Sequence, residues 1–97
     1  MMTQQVIVTT KSNAAIKPLV EAAIQNEKRL LLHGIQRTRQ RLAAFESHSG
    51  MTSSQFERRY NTAELEETLD FADWLIEIKA LELLEEQYQA LKDARFD

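Results

Sequence analysis

The sequence predicts an all-α fold: a long antiparallel helical hairpin with a short capping helix, preceded by one N-terminal β-strand that pairs between chains. Three observations lead there. Two glycines and one proline in 97 residues are too few for a turn-rich β domain, and Leu, Glu, Ala, Gln and Arg dominate the composition. Apolar residues recur at coiled-coil spacing in two separate stretches. Between those stretches stand three consecutive helix-start signals, the mark of a chain turned sharply so that a helix before and a helix after fold back together.

The first element is the strand, over 4–10. Gln4-Gln5-Val6-Ile7-Val8-Thr9-Thr10 is β-branched and bounded by Lys11-Ser12-Asn13. A lone strand needs a partner, and this chain offers none. Val6, Ile7 and Val8 are therefore expected to pair across chains, either with a second copy or with the sheet edge of another protein. An unpaired arm is the plain alternative.

A long helix is expected over 18–46. Pro18 fits a first helical turn, and Lys17 before it is pushed towards extended geometry. Val20, Ala23, Ile24, Leu31, Ile35, Thr38, Leu42 and Phe45 follow at helical spacing, and from Leu31 the steps are those of a coiled-coil seam. The helix would span about 42 Å at the usual rise. Gly34 costs it about 1 kcal/mol relative to alanine. Close approach of another backbone would offset that cost, which puts Gly34 and Ile35 at an interface between chains; a tolerated defect is the other account.

Then come the restarts. Thr52 with Gln55 forms a capping box, and Met51 with Phe56 forms its hydrophobic staple, opening a short helix over 53–60. Asn61 with Glu64, flanked by Tyr60 and Leu65, reads as a second box. Asp70 with Asp73, flanked by Leu69 and Trp74, reads as a looser third. The last helix is expected over 70–95. Trp74, Ile78, Leu81, Leu84, Tyr88 and Leu91 form its stripe, widened at the start by Phe71 and Leu75. Core anchors are accordingly Leu42, Phe45, Phe56, Phe71, Trp74 and Ile78, in a single domain spanning 1–97.

Composition narrows the function. There is no cysteine, which excludes disulfides and thiolate metal sites and makes a reducing cytoplasm the natural compartment. No apolar run approaches the roughly 20 residues of a membrane span, and the N-terminus lacks a signal-peptide pattern. Residues 1–47 carry seven Lys or Arg and three Glu, a balance of +4; the rest carries five basic and twelve acidic residues, a balance of −7. Two antiparallel helices presenting complementary charge to each other would explain this. So would a basic half for an anionic partner and an acidic half for a basic protein.

Catalytic chemistry is hard to find. His33 and His48 are the only imidazoles, neither follows a Glu at di-iron spacing, and zinc would lack both histidine pairs and cysteines. His48, just before Ser49-Gly50, reads as a C-terminal helix cap. Glu64, Glu66, Glu67, Asp70 and Asp73 read as solvated carboxylates at helix starts, favoured there by the macrodipole. No phosphate-cradling glycine loop is present, and no cofactor is expected. A strand followed by a helix is how a ribbon-type DNA-binding dimer begins. Here, though, the strand offers one cation, and Arg37 and Arg41, with Arg39 opposite, make a thin phosphate patch.

Several local strings are familiar. Asn26-Glu27-Lys28-Arg29-Leu30-Leu31, Gly34-Ile35, Arg41-Leu42 and Phe45-Glu46 lead into Gly50-Met51-Thr52-Ser53. Phe56-Glu57-Arg58-Arg59-Tyr60, Glu64-Leu65-Glu66-Glu67-Thr68-Leu69-Asp70-Phe71 and Trp74 follow. Together they resemble a family of small, largely uncharacterised prokaryotic helical proteins of cyanobacterial type, often encoded beside a small TumE-like toxin. Ser49 stands where those proteins commonly carry an aromatic. The resemblance implies an antitoxin-like, non-enzymatic protein that neutralises its neighbour by steric masking, and it transfers no catalytic residues. A self-assembling structural homodimer and a ribbon-type DNA-binding repressor are the alternatives. In the absence of another partner a homodimer is expected, because two apolar stripes and an unpaired strand leave more sticky surface than a monomer of this size hides.

Overall fold

The computed structural model describes residues 10–94, with side chains from Ala14 onward. Three helices follow one another: α1 (Thr10–Ser49), α2 (Ser53–Asn61) and α3 (Leu69–Lys92). The two long helices pack antiparallel into a rod 61 Å long. Most of the expected strand, with Val6, Ile7 and Val8, lies outside the described residues. Its last residue, Thr10, is already helical.

α1 is longer than the sequence reading at both ends. It passes through Pro18 instead of starting there. Proline removes one amide donor and crowds the carbonyl four residues back, yet the preceding stretch contains Ala14 and Ala15, the residue type with the best helix propensity. At the other end Gly50 stops the helix. Its φ of 76° is a left-handed geometry that glycine adopts without steric penalty, and its N–H still donates to the Glu46 carbonyl at 2.9 Å.

The elbow is built by short polar links. Thr52 and Gln55 exchange both bonds of the capping box, Gln55 N–H to Thr52 Oγ1 at 3.1 Å and Thr52 N–H to Gln55 Oε1 at 3.0 Å. Glu46 of α1 accepts the Ser53 N–H at 2.6 Å, placing a carboxylate where the α2 dipole favours it. The second expected box does not form, because Asn61 closes α2 instead of opening a new helix. Ala63 takes a left-handed φ of 58°, while its N–H reaches Tyr60 O and that of Glu64 reaches Arg59 O, the two bonds of a Schellman ending. The third start also shifts. Thr68, in extended geometry, accepts the Phe71 N–H at 3.0 Å and caps α3, leaving Asp70 inside the first turn.

The core sits at this elbow. Trp74, 1% exposed, lies between two rings: Phe56 of α2 at 4.1 Å and Phe45 of α1 at 5.5 Å, both nearly parallel to the indole. Phe71 and Tyr60 tilt against Phe56. Leu42 and Ile78 complete the buried cluster. Away from the elbow the seam continues through Leu31, Ile35 and Thr38, all buried. Opposite charge lines its edges, with Arg41 to Glu77 at 3.4 Å and Arg39 to Glu85 at 2.6 Å. Such exposed pairs contribute roughly 0–1 kcal/mol each, so the aromatic sandwich dominates.

Candidate functional site

α3 is apolar on two opposed sides. One side carries the seam just described. The other carries Leu69, Ile76 and Leu83 at intervals of seven residues, which holds them in one row on a helix of 3.6 residues per turn. They are 85%, 62% and 55% exposed. Scattered surface leucines need no explanation, but an aligned row opposite a packed face is what an unpartnered docking surface looks like. Six carboxylates and two lysines accompany it along α3.

A second feature opens beside the elbow. α1 and α3 wall an open groove of about 850 Å³ there. Phe45, Met51, Phe71 and Ile76 give it apolar walls. Asp70, Asp73 and Glu77 stand on the α3 side, Arg41 and His48 on the α1 side. Ile76 borders both the groove and the outer row.

Among the described residues, no group of three or more His, Asp or Glu side chains is placed to hold a metal ion, and no buried side-chain polar atom lacks a hydrogen-bond partner. His33 and His48 are exposed. Glu64, Glu66, Glu67, Asp70 and Asp73 are exposed as well. Two titrating groups are displaced. Tyr60 is raised by desolvation and by its bond with Glu67, and Lys79 is raised by its bond and charge pairing with Glu57 and by Glu82. Both belong to surface pairs that tie elements together, Lys79 linking α3 to α2 at 3.0 Å.

Of the sequence-derived interface residues, Val6, Ile7 and Val8 lie outside the described residues. Gly34 and Ile35 face α3 of their own chain. Ile35 is 5% exposed, and a Cβ at Gly34 would lie 3.4 Å from Leu84 Cδ1. The close approach at Gly34 is thus made by a side chain within the hairpin. Of the three arginines of the thin phosphate patch, Arg39 and Arg41 bond to carboxylates of α3. Leu42, Phe56, Trp74 and Ile78 are buried, with Phe45 and Phe71 packed against them. The row at Leu69, Ile76 and Leu83 was not singled out from sequence, although its seven-residue spacing was available. Among the described residues no helix is long and apolar enough to cross a membrane. Compared with known families, curated proteins and solved structures, the chain matches none of them.

Proposed function

We propose that this chain is a non-enzymatic protein-binding module whose last helix covers a basic surface on a small partner, as an antitoxin masks its toxin. The observation that carries the reading is the exposed row Leu69, Ile76, Leu83 on an acidic helix. An apolar stripe flanked by carboxylates suits a partner with apolar pockets inside a positive field, the character of a small RNA-binding protein. The toxin-directed form of the reading rests on the sequence resemblance, and the cysteine-free composition suits action in a reducing cytoplasm.

The test is co-expression with the product of the adjacent gene. The pair should co-purify, and growth arrest by the neighbour alone should be relieved by this chain. Leu83→Glu with Glu86→Lys should abolish both effects while far-ultraviolet helicity is unchanged, since both side chains are exposed. Failure of the unaltered pair to associate, or association that survives the double substitution, would reject the docking surface.

A further inference from the structure

The groove at the elbow and the N-terminal part of α1 are both apolar and both open among the described residues. α3 ends beside Glu21, Ile24 and Lys28, where Leu91 and Ala94 face α1. Before that level α1 continues without α3 alongside, and there Leu19 is 65% exposed and Val20 37%. At the far end of α1 lies the groove, with Ala44 and His48 on its α1 wall. Leu19, Ala23, Leu30, Arg41, Ala44 and His48 fall within about 60° of one another around the helix at 3.6 residues per turn. One face of α1 therefore begins as an apolar ridge and ends as a groove wall.

The chain cannot close this contact on itself. Its ridge and groove sit on one continuous helix, about 40 Å apart at 1.5 Å per residue. A second copy can close it. A two-fold axis near Leu30–Leu32 places residue 19 of each copy level with residue 44 of the other, and Leu30, 57% exposed, falls beside that axis. Charge agrees with the arrangement. Glu27 comes level with Arg37 of the other copy, within one residue of the register set by that axis.

We propose that a second copy of this chain lies antiparallel along this face of α1, so that Ile16, Leu19 and Val20 of each copy fill the groove of the other. The groove shares Ile76 with the outer row of α3, but Leu69 and Leu83 lie outside it. Substitutions at Leu83 therefore test the partner surface, and those at Leu19 and Leu30 test the dimer.

The chain has no native cysteine, so introduced ones report cleanly. In a mixture of Leu19→Cys and Ala44→Cys chains, a short bis-maleimide should give covalent heterodimers, while Leu19→Cys mixed with Glu82→Cys should not. Sedimentation of the unaltered chain at tens of micromolar should give the mass of two chains. Leu19→Glu with Leu30→Glu should raise the dimer dissociation constant by at least about a hundredfold, since each copy replaces two buried leucines with charges. Helicity should persist, because both sites are exposed in the single chain. A single-chain mass for the unaltered protein, or a dimer indifferent to the double substitution, would overturn the proposal. Cross-linking equal for the two mixtures would do the same.

Discussion

Trp74 and Ser53 offer a sharp test of how the elbow is held. The indole N–H donates to Ser53 Oγ at 2.9 Å, and the ring is 1% exposed between Phe45 and Phe56. Removing the ring altogether, Trp74→Ala, should cost about 3–5 kcal/mol. A domain of this size has a total stability on the order of 5–15 kcal/mol, so the hairpin would be near its limit. The finer question is the hydrogen bond. Ser53→Ala strands a donor on a buried ring, and a buried unsatisfied donor costs about 1–3 kcal/mol. In a Trp74→Phe background there is no donor to strand, so the same Ser53→Ala change should cost less than about 0.5 kcal/mol. Urea unfolding followed by circular dichroism at 222 nm measures all four proteins, since the fluorophore is lost in two of them. The coupling energy should be about 1–2 kcal/mol. Equal costs of Ser53→Ala in both backgrounds would refute the view that this bond joins α2 to α3.

Two further outcomes follow from the backbone and the surface pairs. Ala63→Gly should stabilise the fold by about 0.5–1 kcal/mol: a left-handed residue with a Cβ is penalised by roughly 1–2 kcal/mol, and glycine's greater unfolded freedom takes part of that back. The substitution at φ 58° should raise the thermal midpoint by a few degrees, and a lower midpoint would contradict the Schellman ending. The raised Tyr60 and Lys79 predict alkaline sensitivity. For Lys79 the contribution is complete below its unfolded pKa and is lost as pH rises through the folded value. For Tyr60 the folded state resists ionisation, so stability falls once pH passes the unfolded value. Both windows open above about pH 10, and Lys79→Met with Tyr60→Phe should flatten thermal midpoints between pH 9 and 11; an unchanged decline would assign it elsewhere.

The two seams were legible because their period is written in side chains that pack at the elbow: Leu42, Phe45, Trp74 and Ile78 could be chosen from spacing alone. The Thr52–Gln55 box was legible because both its partners are local. Asn61 and Asp70 misled for the same local reason. Each satisfies a start pattern, but the chain ends α2 with Ala63 in a conformation that sequence normally signals with glycine, and Thr68 captures the cap two residues before Asp70. Pro18 misled because a first-turn preference was read as a boundary. The outer row of α3 was hidden by success, since a helix already assigned a buried face invites no search for a second. The exposed ridge of α1 depends on where α3 stops, and no residue near Lys92 announces that.

The sandwich at Trp74 has a mechanical consequence. α3 is fastened most firmly at Trp74 and reaches about 27 Å beyond it to Lys92. Tilting α3 by only about 5° about the sandwich would swing its far tip by about 2.4 Å. The contacts near Lys28 and Leu91 are thereby sensitive to small strains at the opposite end. Whatever presses into the groove beside Phe71 and Trp74 acts on the short arm of a lever whose long arm is the rest of α3.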